Sequence, residues 1–466
     1  MSIFQRGLVL SATAVAVTTV VSVITGLHLS KTQAYFQGSP KELVDTVWQE
    51  IDRNYVDATF NQQDWQAVRA DYLEQDYASE EAAYTAIREM LELLDDPYTR
   101  FMDPQEFENM RVETSGELTG VGIQISQDEE TEELVVVAPI EDTPAFKAGL
   151  KTGDIITKID QQSTEGMDIN QAVNLIRGQV DSEVVLTIRR GTREMVFPIV
   201  RARIEIHPVK FDFRAEGADA KTGYIRLTQF SANAAEEMQE AIEALEADGA
   251  TQYVLDLRSN PGGLLYASIN IARMWLEEGI IVSTVNRQGI TDQQQANGRA
   301  LTDKPLVILV DQGSASASEI LSGALQDNGR AVLVGTQTFG KGLVQSVKPL
   351  GDGNTGPGLA VTVAKYLTPN GRDINQEGIA PDHIVELTEE QRDILSNDPT
   401  LIGTLADPQY AKAIELLTGN SFTSPDLGDG GLDSSDDVGA DDPSVDGAST
   451  DGELDESVPE AVEEAE

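Results

Sequence analysis

Residues 313–329, GSASASEILSGALQDNG, are the stretch that best indicates the fold of the segment around them. The apolar run Leu306–Val310 precedes them and predicts a strand, and the apolar spacing after the serines predicts an amphipathic helix. A serine at a helix N-terminus lies among unpaired N–H groups and at the positive end of the helix dipole, which favours an anionic transition state. Ser314, Ser316 and Ser318 are each equally suited to be an ordinary N-cap, so this stretch alone leaves both interpretations open.

Two further strand ends carry polar motifs. In residues 255–263, LDLRSNPGG, a strand runs into a Pro-Gly-Gly turn, whose N–H groups either face an oxyanion or only shape the turn. Residues 335–345, GTQTFGKGLVQ, match the start of a phosphate-binding loop, but Gly342 stands where Ser or Thr would ligate magnesium. Lys341 is then either a surface lysine or a desolvated lysine whose lowered pKa makes it a general base.

The scarcity of cysteine and histidine narrows the choice of base. The chain has no cysteine and three histidines, of which neither His207 nor His383 lies in a recognisable catalytic context. If a serine is the nucleophile, lysine is the remaining base, as in Ser-Lys variants of the catalytic triad. A disulfide framework is excluded, a histidine-rich metal centre is disfavoured, and we expect no metal or other cofactor.

The pattern along the chain predicts several segments within 466 residues. Strands alternate with helices over residues 206–390, which predicts an α/β core with a largely parallel sheet. Residues 35–105 read as a helical N-terminal segment whose apolar stripes form either a core or a dimer face. Residues 391–420 are predicted to be a C-terminal helical segment.

Residues 106–205 alternate strands, turns and two short helices, which predicts a small, partly open β-barrel. Two stretches, Gly120-Val121-Gly122-Ile123 and residues 145–160, AFKAGLKTGDIITKID, resemble a PDZ domain. The resemblance implies that the loop formed by Gly120, Val121, Gly122 and Ile123 binds a substrate's terminal carboxylate through backbone N–H groups, while the next strand pairs with the peptide. The alternative is that the two glycines only shape a β-turn.

Charge and the chain ends add further expectations. The net charge is −46, from 79 acidic and 33 basic residues, which disfavours nucleic acid and anionic membrane surfaces as partners. Residues 421–466 hold 16 acidic and no basic residues, which predicts a disordered acidic tail. In residues 1–34, Arg6 precedes the uncharged run Leu8–Leu27, which predicts an export signal, either removed after Ala34 or retained as a membrane anchor.

Taken together, the three strand-end motifs resemble the carboxyl-terminal processing, or tail-specific, protease family over about residues 40–390. The resemblance implies a crotonase-like catalytic core and a serine endopeptidase that needs no cofactor. It implies Ser316 as nucleophile, Lys341 as general base and Gln345 as the residue that orients the lysine. It also implies an oxyanion hole made by the N–H groups of Ala317 and Gly263, with Gly262 as neighbour.

The substrates implied by this resemblance are proteins with apolar carboxyl termini. The helical segment and residues 116–125, GELTGVGIQI, resemble the cyanobacterial and plastid branch, whose best-known member trims a photosystem II reaction-centre precursor. This implies a location in the periplasm or the thylakoid lumen.

Two alternatives are a PDZ adaptor with an inactive protease-like domain and a crotonase-type acyl enzyme. The intact Ser316, Lys341 and Gln345 set argues against the first, and the PDZ-like region argues against the second.

Overall fold

The computed structural model describes residues 39–128, 131–140, 142–215, 221–351 and 356–419. The predicted export signal and the predicted acidic tail lie outside these residues. Within the described ranges, no helix combines the length and the apolar character that crossing a membrane requires.

The N-terminal segment folds as a helical unit with one short strand. Its elements are α1 Pro40–Asn54, α2 Trp65–Glu74, α3 Glu80–Glu92, β1 Arg100–Met102 and α4 Pro104–Ser115. Ser39 and Glu42 form a capping box at the start of α1, which satisfies N–H groups that the helix leaves unpaired. The apolar stripes of α1 and α3 are buried against each other, so these side chains form a core of the chain itself.

The next region is an antiparallel β structure with two short helices, as predicted. Its elements are β2 Glu117–Gly120, β3 Ile123–Gln127, β4 Leu134–Pro139, α5 Pro144–Ala148, β5 Ile155–Ile159, β6 Gln162–Ser163, α6 Ile169–Ile176, β7 Glu183–Arg190, β8 Arg193–Val200 and β9 Ala202–Glu205. The sheet order is β3-β4-β5-β7-β8, with β6 on β5, while β2 pairs with β9. Val121 and Gly122 lie between β2 and β3, and Gly122 has a φ of +79°, a conformation that does not continue a strand.

The remaining elements form an α/β core and its C-terminal cover. They are β10 Val209–Ala215, β11 Lys221–Leu227, α7 Ala234–Ala247, β12 Gln252–Asp256, α8 Leu265–Trp275, β13 Ile280–Asn286, β14 Gly289–Gln295, β15 Leu306–Val310, α9 Ala317–Asp327, β16 Val332–Gly335, β17 Leu343–Pro349, β18 Gly358–Leu367, β19 His383–Ile384, α10 Glu389–Asn397 and α11 Pro408–Thr418, with a short 3₁₀ helix at Pro399–Leu401.

The main sheet of this core has the order β10-β11-β12-β15-β16-β19 and is parallel from β11 to β19. One face packs on α7, α8 and α9 through Leu255, Ile308 and Leu333. The other face packs on α11 through alternate residues, including Val254 and Val307. The carboxyl ends of the parallel strands therefore bring the three sequence motifs to one edge of the sheet.

A second, antiparallel sheet corrects the prediction of one largely parallel sheet. Its order is β1-β18-β13-β14, with β17 also paired to β18. Strands β17 and β18 pair antiparallel in it, because a short connection between successive strands suits antiparallel pairing, whereas parallel pairing needs a long crossover. The β13–β14 hairpin was not predicted. Pairing of β1 with β18 joins the N-terminal segment to the core.

Candidate active site

The turn that carries Ser316 lies between β15 and α9. Ser316 is the N-cap of α9 and has φ 55° and ψ −109°, a backbone conformation that non-glycine residues rarely adopt. Neighbouring contacts hold it there: the Ala315 N–H and the Ser318 hydroxyl both donate to the Asn260 carbonyl oxygen, at 3.0 and 2.9 Å. Strain of this kind persists only where the surroundings impose it, and it is found most often at functional sites.

The Pro-Gly-Gly turn lies directly against this serine. A Cβ atom on Gly262 would stand 2.6 Å from the Ala315 carbonyl oxygen, and one on Gly263 would stand 2.4 Å from that of Phe230, so only glycine fits at either position. The Gly262 N–H donates to Asn260 Oδ1 at 2.9 Å and is engaged within the turn. This favours Gly263 over Gly262 as the donor to an oxyanion.

Four of the six residues predicted for catalysis and the oxyanion hole surround one small cavity of about 210 Å³. Ser316, Ala317, Gly263 and Gln345 all line it, together with apolar side chains of α8, α9 and β17. The Gln345 Nε2 atom is buried and has no hydrogen-bond partner, so a donor stands unused beside the serine. Lys341 does not line this cavity.

Glu319 joins the serine turn to the lysine loop, a role that the sequence did not reveal. Its side chain is fully buried. The carboxylate accepts hydrogen bonds from the N–H groups of Ser316 (2.8 Å), Gly340 (2.7 Å) and Lys341 (2.9 Å), and from the Thr338 hydroxyl (2.6 Å). The signal available in the sequence was its place three residues after Ser316, where a carboxylate can reach back to the N-cap.

Tyr366 makes a second link, also not predicted. Its buried hydroxyl donates to the carbonyl oxygens of Ser316, at 3.1 Å, and of Lys341. Burial raises the pKa of this phenol well above its ordinary value, and the negative charges of Glu319 and Asp373 raise it further. The hydroxyl therefore stays protonated and keeps the serine and lysine backbones close together.

Lys341 is half-buried, and its ammonium lies 4.7 Å from the centroid of the Tyr98 ring. In the described part of the chain, no hydrogen bond joins Lys341 Nζ to Ser316 Oγ. Burial lowers the pKa of Lys341, and the positive charge of Arg100 lowers it further, while Asp96 and Glu319 partly oppose this shift. The structure thus gives the lysine the environment of a general base but does not place its Nζ at the serine.

The predicted carboxylate-binding loop lies in another sheet. Gly120 ends β2, and Ile123 begins β3, an edge strand of its sheet. The Val121 carbonyl accepts from the Ala145 N–H at 2.8 Å, and the Gly122 carbonyl accepts from the Thr143 hydroxyl at 3.1 Å. The loop is thus fixed at the entrance to an open strand edge, where an extended peptide can add as a further strand.

Comparison with known proteins decides the family. The sequence profile of peptidase family S41 matches residues 221–385. The carboxyl-terminal-processing protease of Synechocystis sp. is 49% identical over 343 residues, which cover 73% of this chain and 78% of that protein. The chain belongs to peptidase family S41. A PDZ domain profile also matches this S41 peptidase, over residues 135–190.

Two further relatives of this S41 peptidase are also carboxyl-terminal processing peptidases. The chloroplastic carboxyl-terminal-processing peptidase 3 of Arabidopsis thaliana is 42% identical, over 65% of this chain and 60% of that protein. The solved structure of a photosystem II D1 C-terminal processing protease has a TM-score of 0.52 and 38% identity, covering 75% of this chain and 94% of that one. The S41 peptidase is a serine-type endopeptidase of the carboxyl-terminal-processing class, and the predicted fold class is confirmed.

Proposed function

We propose that this S41 peptidase cleaves proteins near an apolar carboxyl terminus, with Ser316 as the nucleophile and Lys341 as the general base. The observation that carries the assignment is the arrangement around the 210 Å³ cavity. There a strained serine at a helix N-terminus lies beside the N–H of Ala317, the Pro-Gly-Gly turn and the unused Gln345 amide.

Binding of the substrate begins in the PDZ domain. The extended carboxyl terminus pairs with the open edge of β3, and the loop of Gly120, Val121, Gly122 and Ile123 receives the terminal carboxylate. The main-chain hydrogen bonds supply affinity for any extended chain, and pockets for alternate side chains supply the preference for apolar residues.

The chemistry follows in two stages. Ser316 Oγ attacks a peptide carbonyl carbon while Lys341 Nζ accepts the hydroxyl proton, and the N–H groups of Ala317 and Gly263 stabilise the oxyanion. Lys341 returns the proton to the leaving amine as the peptide bond breaks. Lys341 then activates a water molecule that hydrolyses the acyl-enzyme ester, and Gln345 holds the lysine in position.

This mechanism requires Lys341 to leave the Tyr98 ring. The Tyr366 hydroxyl contacts the backbone carbonyls of both Ser316 and Lys341, so the two backbones already lie close together. A lysine side chain has a flexible four-carbon stem, so we propose that rotation about its own bonds brings Nζ to Ser316 Oγ. We therefore propose that the structure represents a resting arrangement of the site.

The test compares cleavage of an unfolded protein that ends in apolar residues by wild type, Ser316→Ala, Lys341→Met and Ser322→Ala. Ser322 is a matched control, since it lies on the same helix and its buried hydroxyl has no partner. We expect Ser316→Ala and Lys341→Met to lower kcat by about 10³-fold or more, and Ser322→Ala to retain activity. Equal cleavage by wild type and Ser316→Ala would contradict the proposal.

The relatives support a narrower proposal about substrate and location. Because a solved relative is a photosystem II D1 C-terminal processing protease, we propose a reaction-centre precursor of that kind as substrate. We also propose export to the periplasm or thylakoid lumen by residues 1–34, cleaved or retained as an anchor. Comparison of protein carboxyl termini in cells with and without the gene tests the substrate, and N-terminal sequencing of the fractionated protein tests the export.

We also propose the bounds of the segments along the chain, and we propose that the chain forms a homodimer. The segments are 1–34 export signal, 35–105 helical segment, 106–205 PDZ domain, 206–390 catalytic core, 391–420 C-terminal helical segment and 421–466 acidic tail. Sedimentation of the purified chain distinguishes a homodimer from a monomer, and limited proteolysis with mass analysis locates the boundaries between segments.

A further inference from the structure

A second cavity, of about 390 Å³, lies at the same edge of the main sheet but on the side covered by α10. Side chains at the carboxyl ends of four parallel strands line it, and they are Arg226, Arg258, Asp311 and Thr336. Leu395 of α10 closes it from the other side. It shares no lining residue with the cavity at Ser316. In α/β sheets, ligands bind in crevices outside the carboxyl ends of the strands.

Two arginines in this cavity have unused donors. Arg226 Nε is buried and has no hydrogen-bond partner. Within the described ranges, the guanidinium groups of Arg226 and of Arg392, which reaches the cavity from α10, make neither a hydrogen bond nor an ion pair. The chain has 79 acidic against 33 basic residues, so acidic partners are abundant. A buried donor without an acceptor is unfavourable unless something else supplies that acceptor.

The carboxylates nearest to the cavity are already occupied. Asp256 and Asp407 bind the Arg258 guanidinium at 2.6 and 2.7 Å. The positive charge of Arg226 also acts on Asp256, but no hydrogen bond joins these two side chains among the described residues. Asp256 also accepts from the Tyr224 hydroxyl at 2.7 Å. Asp311 accepts from the N–H groups of Ser259 and Gly313, at 2.8 and 2.9 Å. In the part of the chain that the structure describes, Arg226 and Arg392 are therefore left without a hydrogen-bond acceptor.

We propose that this cavity binds a small oxyanion, a carboxylate or phosphate group, between Arg226 and Arg392. A guanidinium presents planar, paired N–H donors that match the oxygens of either group. The Thr336 hydroxyl and the Gln312 amide also line the cavity and add donors. Leu387, Leu395 and Ile402 line its apolar part, which accommodates a short hydrocarbon body attached to the anion.

The site is connected to the catalytic loops. Ser259 lies in the segment that leads into the Pro-Gly-Gly turn, and Asp311 lies in the segment that leads to Ser316. The Ser259 N–H donates to Asp311 Oδ1, so the two segments are joined at the cavity wall. An oxyanion between Arg226 on β11 and Arg392 on α10 would hold this edge of the sheet to its C-terminal cover. Because it binds the folded state, it raises the melting temperature.

The experiment titrates the full chain with inorganic phosphate and, separately, with N-acetyl-leucine, at constant ionic strength, by calorimetry and by thermal melting. We expect saturable binding of at least one anion with a rise in melting temperature. Phosphate binding identifies a phosphate ligand, and N-acetyl-leucine binding identifies a carboxylate with an apolar body. Absence of saturable binding of both anions up to about 10 mM would overturn the proposal.

Variants locate the binding. Arg392→Met removes an exposed guanidinium and should leave the fold intact, and Arg226→Met/Arg392→Met removes both donors. We expect each step to weaken binding about tenfold or more, since each removes charge-assisted hydrogen bonds. Arg299→Met is the matched control, because Arg299 is an exposed arginine of the α/β segment that does not line the cavity. This variant should bind the anion as wild type does. Unchanged binding by Arg392→Met would place the anion elsewhere and refute the assignment.

Discussion

The ammonium of Lys341 lies over the ring of Tyr98, 4.7 Å from its centroid, and not at Ser316. Tyr98 belongs to the connection between α3 and β1, so a residue of the N-terminal segment holds the proposed base of the catalytic core. The contact combines a cation–π attraction with partial burial of the lysine. Whatever releases Lys341 from this ring also controls how much of the enzyme is competent for proton transfer.

The first prediction concerns this contact. Tyr98→Leu removes the aromatic face and should make the resting position of Lys341 less favourable by about 0.5–2 kcal/mol. We expect kcat to rise about 2- to 10-fold, because a larger fraction of the molecules then has Lys341 free to reach Ser316. Steady-state cleavage of a short peptide measures this.

Tyr98→Phe is the conservative counterpart, since it keeps the ring and removes only the hydroxyl. It should behave as wild type does in kcat and in the dependence of kcat on pH. If Tyr98→Leu and Tyr98→Phe change kcat equally, the ring does not hold the lysine.

The second prediction concerns Glu319. Glu319→Gln replaces one acceptor oxygen by an amide that must face N–H donors, so a buried hydrogen bond is lost between the serine turn and the lysine loop. We expect a loss of about 3 kcal/mol in unfolding free energy and a fall in kcat of about tenfold or more. Urea unfolding and peptide cleavage measure the two effects.

Glu236→Gln is the control for Glu319→Gln, since Glu236 also lies in the first turn of a helix but is exposed. It should change neither quantity. A Glu319→Gln protein with wild-type kcat would show that the carboxylate does not position the site.

The third prediction is a pH dependence. Burial, and then the charge of Arg100, lower the pKa of Lys341 below the value of about 10.4 for an exposed lysine. Only the neutral amine accepts a proton, so kcat should rise with pH as Lys341 loses its proton, at a pH below that ordinary value. Arg100→Gln removes a positive charge, so the pKa of Lys341 should rise and the profile should move to higher pH.

Arg299→Gln removes an exposed positive charge elsewhere in the core and should leave this profile unchanged. A shift of the Arg100→Gln profile to lower pH would have the wrong sign for a lysine base. The free energy of unfolding should also rise with pH in this range. Between the lowered pKa of Lys341 in the folded chain and its ordinary pKa in the unfolded chain, the unfolded chain binds more protons than the folded chain.

The fourth prediction concerns the PDZ loop. A Cβ on Gly122 would stand 2.3 Å from Thr143 Cβ, so we expect Gly122→Ala to displace the proposed carboxylate-binding loop. We expect the KM for a protein substrate to rise about tenfold, while cleavage of a short peptide without a PDZ-binding terminus is unchanged. Gly166→Ala is the control: Gly166 also has a positive φ, but a Cβ there would contact nothing. It therefore shows the effect of backbone strain without steric displacement of the loop. Equal KM values for both variants would contradict a role of the loop in binding.

The fifth prediction tests how the C-terminal cover is attached. Asp407 is fully buried and binds Arg258, which itself lies next to the Pro-Gly-Gly motif. Asp407→Asn leaves a buried arginine with one carboxylate fewer, and we expect a loss of about 3–5 kcal/mol in unfolding free energy. Asp76→Asn breaks the exposed pair with Lys41 and should leave the urea midpoint unchanged. If both variants unfold at the wild-type midpoint, the buried network does not anchor the cover.

Local patterns in the sequence were enough for several features. An apolar run followed by a turn and a helix predicted β15, the serine turn and α9, because each of these depends mainly on residues that are neighbours in the chain. The glycines at 262, 263 and 122 marked backbone conformations and close approaches that other residues do not tolerate. The absence of cysteine and the scarcity of histidine pointed to Lys341 by elimination.

Other features depend on contacts between distant parts of the chain, and only the tertiary structure decided them. The antiparallel sheet forms because β1, β13, β14, β17 and β18 meet, although nothing in their separate sequences specifies their partners. The position of Lys341 over Tyr98, the bridging carboxylate of Glu319 and the unused donors of Arg226 likewise result from packing. The sequence alone determined which residues are proposed to carry the chemistry, because their motifs are local, and long-range packing determined how those residues are arranged.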